Sequence, residues 1–363
     1  MTKAAELAKM GEVLTNSQIG GRRNIVINGA MQVAQRATSS TDIGGSSGYF
    51  TCDRWHMSPS GTAGRLTMTQ DSSAPSGFAN SIKLDCTTAD TSIASSEFLL
   101  FTHKFEGQDV QSFAKGTSDA KQFSLSFYVK GNASATYVAE LMDEDNSNRH
   151  VNKSFSVTTN WTRVELLFPA DTTGTLDDDN ALSFSLNIWL HAGSDFTSGS
   201  LQTTWGALSQ TSRAVGISSF FSSTDNTFFI TGVQLEVGSQ ATPFEHRSFG
   251  EELALCQRYF QSFTHNGSGG GYVTNGVIIS ARFYGTFRYQ KRMRAIPSSF
   301  TLTSGGFNVQ TDVLSVGSQS IDETHNATID SVRFRTGQNT NFTNGQGAIL
   351  RFDSGTIDID AEL

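Results

Sequence analysis

Two stretches of this chain place an apolar side chain at every second residue: Phe123, Leu125, Phe127 and Val129, then Phe184, Leu186, Ile188 and Leu190. Side chains of a strand alternate between its two faces, so this spacing buries one face of each strand and does not suit an amphipathic helix. Shorter runs of the same kind recur, separated by turn residues. They span 49–57, 65–70, 81–86, 97–105, 122–130, 136–142, 154–157, 162–168, 181–190, 214–221 and 227–237, and a Ser/Thr/Gly-rich loop is expected at 38–48. Many short strands at near-regular spacing, with no helical period between them, predict a mainly β protein built on a sandwich or jelly roll. Composition agrees. Charged residues are only 17% and Phe numbers 27, a residue that suits a half-buried pleated surface. No repeat of solenoid length is present, which argues against a β-helix or propeller.

Two segments break the pattern. Ala4, Leu7, Met10 and Leu14 share one stripe and predict a short N-terminal helix over 4–17. Ser248 with Glu251 three residues later is a capping box, and Leu253, Cys256, Phe260 and Phe263 follow at heptad spacing. That predicts a helix over 248–263, whose stripe either lies on the core of its own subunit or lines a trimer axis. A Gly-rich loop, 265–271, then leads to further strands at 276–289, 299–302, 313–316, 328–335, 348–352 and 356–359. These suffice for a small second sandwich. The expected parts are therefore an arm, 1–23, a central β domain, 24–247, a linking helix, 248–263, and a distal β domain, 264–363.

Net charge is −8, which disfavours a general electrostatic hold on nucleic acid or an anionic membrane. The charge is uneven: residues 1–38 carry five Lys/Arg against two Asp/Glu, with Arg22 and Arg23 adjacent. No apolar run is long enough to span a membrane, and the opening residues lack the apolar core of a signal peptide. Cys52, Cys86 and Cys256 are odd in number and widely spaced, so buried free thiols are expected rather than disulfides or a zinc site.

Catalytic signatures are missing. There is no phosphate-binding Gly loop and no nucleophile elbow, and the seven His residues never fall at metal-ligand spacing, so neither cofactor nor metal is expected. The acidic turns 143–146 and 177–180 are expected as solvated hairpin ends. The first starts like a calcium loop, but Asn148 stands where Gly is needed and Ser154 where a Glu should close it. Four Trp offer faces on which a sugar ring could stack. Trp55, Trp161 and Trp189 are expected in the core, while Trp205, in a polar stretch, has the best chance of exposure.

Several runs resemble a group of tailed-phage fibre and virion structural proteins. Asn24–Arg36 (NIVINGAMQVAQR) with Tyr49–Met57 (YFTCDRWHM) is similar to their opening, and Ile230–Ser248 (ITGVQLEVGSQATPFEHRS) with Gly250–Phe260 (GEELALCQRYF) to their close. Ser126–Gly131 and Thr158–Arg163 fall between in the same order, so the resemblance covers about residues 22–263. It implies a carbohydrate-binding-module-like jelly roll whose first and last strands are neighbours. It also implies a homotrimer held to other virion tail proteins by its N-terminus, with the distal end towards a host cell-surface glycan. Leu7, Met10, Leu14, Arg22 and Arg23 are then the candidates for virion anchoring. In the distal domain, Tyr272 and the loop residues Gln338, Asn339, Asn341, Phe342, Asn344 and Gln346 are the candidates for host contact. Their amides match sugar hydroxyls and the aromatics supply stacking faces. A virion-associated polysaccharide-degrading enzyme and a head or neck fibre are the alternatives. Tailspike depolymerases usually carry a long parallel β-helix, which this chain lacks. Synthesis in bacterial cytoplasm fits the absence of a signal sequence and the few cysteines.

Overall fold

The computed structural model describes Lys3 and residues 23–363, apart from 266–270, 305 and 353–354. The expected helix over 4–17, with Leu7, Met10 and Leu14, and also Arg22, lie outside the described residues. Two compact units are present: residues up to Glu252 together with Leu363, and Leu253–Glu362.

In the first unit the strands are β1 (Ser39–Ile43), β2 (Gly48–Tyr49), β3 (Trp55–Ser60), β4 (Arg65–Asp71), β5 (Ser81–Thr88), β6 (Phe98–Glu106), β7 (Phe123–Gly131), β8 (Ala135–Asp143), β9 (Arg149–Val157), β10 (Thr162–Phe168), β11 (Leu182–Ala192) and β12 (Thr227–Val237). They form two six-stranded antiparallel sheets, ordered β1-β4-β5-β12-β7-β10 and β2-β3-β6-β11-β8-β9. This is a jelly-roll sandwich. Phe123, Leu125, Phe127 and Val129 of β7 and Phe184, Leu186, Ile188 and Leu190 of β11 are fully buried in the core between the sheets. Each such side chain contributes roughly 1.5–3 kcal/mol by leaving water. Trp55 stacks on Phe101 in the same core, with centroids 4.6 Å apart.

The two ends of the jelly roll are tied together. Asn24 Oδ1 accepts from the Leu235 N–H of β12 at 3.1 Å, and Glu245 accepts from the Asn24 N–H at 2.8 Å. Gly29 lies flat against β12: the Val233 N–H donates to its carbonyl, and a Cβ at Gly29 would stand 2.1 Å from the Val233 oxygen. The segment from Asn24 is thus part of the folded core, although its period-two run forms no regular strand.

Three expectations fail in this unit. The run 49–57 is not one strand: Tyr49 ends β2 and Trp55–Met57 open β3, with bends and turns between them. Residues 214–221 form no strand. Ala214, Phe220 and Phe221 are buried by irregular backbone that ends in a 3-10 turn at Phe220–Ser222. Ser39–Ile43, expected as loop, is the edge strand β1. Its side chains are mostly exposed, so no apolar alternation marked it.

The second unit contains β13 (Phe260–His265), β14 (Gly271–Ile279), β15 (Arg282–Arg288), β16 (Ser299–Ser304), β17 (Phe307–Gln310), β18 (Ser315–Gln319), β19 (Ile321–His325), β20 (Ser331–Thr336), β21 (Gly347–Phe352) and β22 (Gly355–Asp360). A three-stranded sheet, β13-β22-β16, and a seven-stranded sheet, β18-β17-β21-β14-β15-β20-β19, enclose a core around Phe283, Phe334, Leu350 and Ile357. The run expected as one strand over 276–289 is a hairpin. Ser280 and Ala281 both have positive φ (50° and 58°), the backbone of a tight two-residue turn, without the Gly that usually announces one.

The linking helix is shorter than its heptad pattern implied. It spans Phe249–Cys256, and Phe260 and Phe263 belong to β13. Its N-terminus is the expected capping box: Ser248 Oγ accepts from the Glu251 N–H at 3.3 Å, and Glu251 accepts from the Ser248 N–H at 3.0 Å. Cys256 and Phe260 are buried within the chain, and Phe263 packs on the core of the second unit. Leu253, Cys256, Phe260 and Phe263 therefore form no single helical stripe for a trimer axis. The three cysteines are buried.

Candidate functional site

The outer face of the second jelly-roll sheet is closed over. Residues 193–222 run across it, bonding the edge strand β9 through His150 N–H to Gly206 O (3.0 Å) and Asn152 N–H to Gln202 O (2.8 Å). Beneath this cover Trp189, Leu100, Val138 and Ala214 form a second apolar cluster. A polar network lies beside it. The Glu140 carboxylate is fully buried and accepts from Arg213 Nε (2.8 Å) and NH2 (2.7 Å), Asn187 Nδ2 (3.1 Å) and Trp189 Nε1 (3.2 Å). His150 Nδ1 is 3.2 Å from Glu140, while its Nε2 accepts from the Ser209 N–H. Burial pushes the Glu140 pKa up, but the Arg213 charge and hydrogen bonds, helped by His150, hold it down at about 2. The network is buried and the Glu140 carboxylate is well bonded, so it holds the cover in place and offers no open site.

No Trp of the first unit presents a free stacking face of the kind expected. Trp55 and Trp189 are fully buried. Trp205 is half-buried, donates to Pro169 O at 2.9 Å, and packs edge-on against Phe123. Trp161 is half-buried rather than core, with Lys130 Nζ 5.2 Å from its ring. The acidic turn at 143–146 is not a solvated hairpin end either. Asp143 is fully buried, pairs with Lys115, and accepts from the backbone N–H groups of Asp145 and Asn146.

Of the proposed anchoring residues only Arg23 is described. Its guanidinium lies 3.3 Å from Glu236 and donates to Pro243 O at 3.0 Å. The Arg23 guanidinium is thus engaged in closing its own jelly roll.

In the second unit Tyr272 stands out, 72% exposed at the start of β14. It faces Arg351 across the ladder to β21, and the register slips between Tyr272 and Thr274. Such a bulge re-aims side chains. The Arg351 guanidinium sits 5.4 Å from the ring centroid and helps hold its orientation. Shallow grooves of about 390 and 410 Å³ flank the ring. The first has an apolar floor of Phe263, Phe287 and Phe352, with Thr264 and Gln290 among its polar lining residues. The second is lined by Thr274, Asn275, Thr286 and Arg288. Among the described residues neither lining contains a carboxylate.

The loop at 337–347 does not join Tyr272. Asn344 Oδ1 accepts from the Ala281 N–H, and the Asn339 N–H donates to Ala281 O, so this loop sits at the far end of β14. Eight residues of strand separate Tyr272 from that turn by roughly 26 Å. Phe342, expected as a stacking face, is buried in the core, and Asn339 Oδ1 accepts from the Asn341 N–H in a local turn. Gln338, Asn341 and Asn344 are exposed, but with Phe342 buried the loop offers no aromatic beside them.

No protein-family model matches the sequence, and no curated protein does. Among solved structures the chain is similar to a CBM4 module, at 10% identity over 58% of this chain and 98% of that one, with a TM-score of 0.31. It is similar at 11% identity to TmCBM61, whose structure contains β-1,4-galactotriose, over 60% of this chain and all of that one (TM-score 0.30). A third likeness, at 13% identity and TM-score 0.29, is to the enzymatically active domain of tailspike protein 4 of bacteriophage CBA120; it covers 59% of this chain and 21% of that one.

Proposed function

We propose that this chain is a non-catalytic, glycan-binding fibre subunit of a tailed-phage virion, homotrimeric in its working state, that contacts a host-surface glycan through Tyr272. The observation that carries the reading is the exposed Tyr272 ring, oriented by Arg351 and flanked by two grooves with Thr, Asn and Gln side chains in their linings. A sugar ring stacks its apolar face on such an aromatic, while hydroxyls and amides alongside both donate and accept. Among the described residues neither groove lining holds a carboxylate, which favours binding over glycoside cleavage, since that canonically needs a pair of them. The virion assignment rests on the sequence resemblance over about residues 22–263. Shallow sites of this kind are weak singly, and three copies on one fibre compound their affinity.

Tyr272→Ala should weaken binding to host-surface polysaccharide at least tenfold per site, about 1.4 kcal/mol, and more on the assembled fibre. Surface plasmon resonance on immobilised glycan measures it, and unchanged binding would remove Tyr272 from the site. Incubation with the same glycan should release no new reducing ends; their appearance would favour the enzyme. Sedimentation of the full chain should give three times the chain mass, and a stable monomer would overturn the trimer.

A further inference from the structure

A buried cluster in the first unit has the makings of a metal centre. Asp90, Glu97 and His191 are all buried, and one potential ligand atom from each lies within 4.8 Å of the others. Their separation in sequence hides them from any spacing rule. The sandwich brings them together, with Asp90 beyond β5, Glu97 just before β6, and His191 near the end of β11.

Two atoms in this cluster are orphaned. Glu97 Oε2 and His191 Nε2 are buried without a hydrogen-bond partner, and they face each other across 3.6 Å. Leaving a buried polar atom unmade is costly, and two such atoms aimed at one point call for a shared partner. The remaining groups already act as supports. Thr62 Oγ1 and the Ala63 N–H donate to Asp90 Oδ2 at 2.7 and 2.8 Å, and Ser92 N–H lies 3.3 Å from Oδ1. His191 Nδ1 is 2.8 Å from Ser219 Oγ, which fixes the ring with Nε2 pointing inward. Outer-shell bonds of this kind orient metal ligands.

We propose that Asp90, Glu97 and His191 bind one first-row divalent cation of the Zn²⁺ type, with a water in the fourth position. Ligands ~2.0–2.2 Å from a tetrahedral ion stand ~3.3–3.6 Å apart, a spacing the Glu97–His191 pair already has. One imidazole and two carboxylates suit Zn²⁺ or Mn²⁺ better than Ca²⁺, which prefers six or more oxygens. The ion would pin the exposed loop 91–96 to the end of β11.

The test uses the full untagged chain, stripped with a chelator and titrated calorimetrically with Zn²⁺ in excess Ca²⁺. One Zn²⁺ per chain, with a higher melting temperature, is expected. Glu97→Gln keeps the side-chain shape and should weaken binding at least tenfold, as should His191→Gln. Co²⁺ in place of Zn²⁺ reports the site independently: its tetrahedral absorption should appear in the parent and vanish in both variants. Folded parent protein that takes up no stoichiometric Zn²⁺, or equal binding in both folded variants, would overturn the proposal.

Discussion

Replacing Arg213 with Met is expected to destabilise the jelly roll by about 3–5 kcal/mol at pH 7, and the deficit should shrink as the pH falls towards 3. Arg213 supplies the only guanidinium recorded on the fully buried Glu140 among the described residues, through two hydrogen bonds. Without it, the charged carboxylate stays buried with only Asn187, Trp189 and His150 around it. In the parent protein the folded-state pKa of Glu140 is held down from 4.5 to about 2. A depressed carboxylate stabilises the fold above its unfolded pKa and loses that contribution as pH falls through the folded value. The parent should therefore lose about 3 kcal/mol of this contribution between roughly pH 5 and pH 2. In the variant, burial acts with far less opposition and favours the protonated acid, so acidification relieves rather than harms it. Urea denaturation of both proteins at pH 7 and pH 3 measures the two gaps. Parallel pH profiles would show that Arg213 does not govern Glu140.

Lys115→Met should be about as damaging, again ~3–5 kcal/mol, which for a unit of this size lowers the melting temperature by roughly 10 °C. The Lys115 ammonium is fully buried. It pairs with Asp143, lies 3.1 Å from Asp171, and donates to Thr173 O (2.9 Å) and Gly174 O (2.8 Å). Arg149 still engages Asp171 in the variant, through Nε at 3.0 Å and NH2 at 2.9 Å, whereas Asp143 loses its cation. Adding Asp143→Asn to Lys115→Met should therefore recover part of the loss, because it removes the stranded charge and keeps the acceptor for the backbone N–H groups of Asp145 and Asn146. Scanning calorimetry of the single and double variants decides it. A double variant worse than either single one would show that the pair is not coupled through charge.

The alternating runs were enough to place most of the sandwich. Thr162–Phe168 and Thr227–Val237 coincide with strands end to end, and β4 to β8 match their expected runs within a residue or so. This follows because a strand with one face in a core must repeat every two residues, a local rule written in local sequence. Short edge strands escape it. In β1 most of the side chains are exposed, so no core selects an apolar alternation. The heptad across 253–263 misled for a related reason. Leu253 and Cys256 belong to a helix and Phe260 and Phe263 to a strand; Cys256 and Phe260 are buried and Phe263 packs on a core, each on its own terms, while Leu253 is half-buried.

What the sequence by itself determined, then, is the class of fold, the positions of most strands in the first unit, the capped helix start and the burial of the cysteines. Tyr272 was also visible there, as an aromatic bordering a Gly-rich loop. What only the tertiary structure decided is which polar residues meet. Glu140 meets Arg213 across 73 positions, Asp143 meets Lys115 across 28, and Asp90 and Glu97 meet a histidine on β11. It also decided that Phe342 is core and that residues 193–222 close over a sheet face. Hydrophobic burial is non-directional and leaves a periodic trace along the chain, whereas hydrogen bonds and ion pairs depend on distances of a few ångströms between residues remote in sequence. No spacing along the chain encodes those distances; packing of the two sheets creates them.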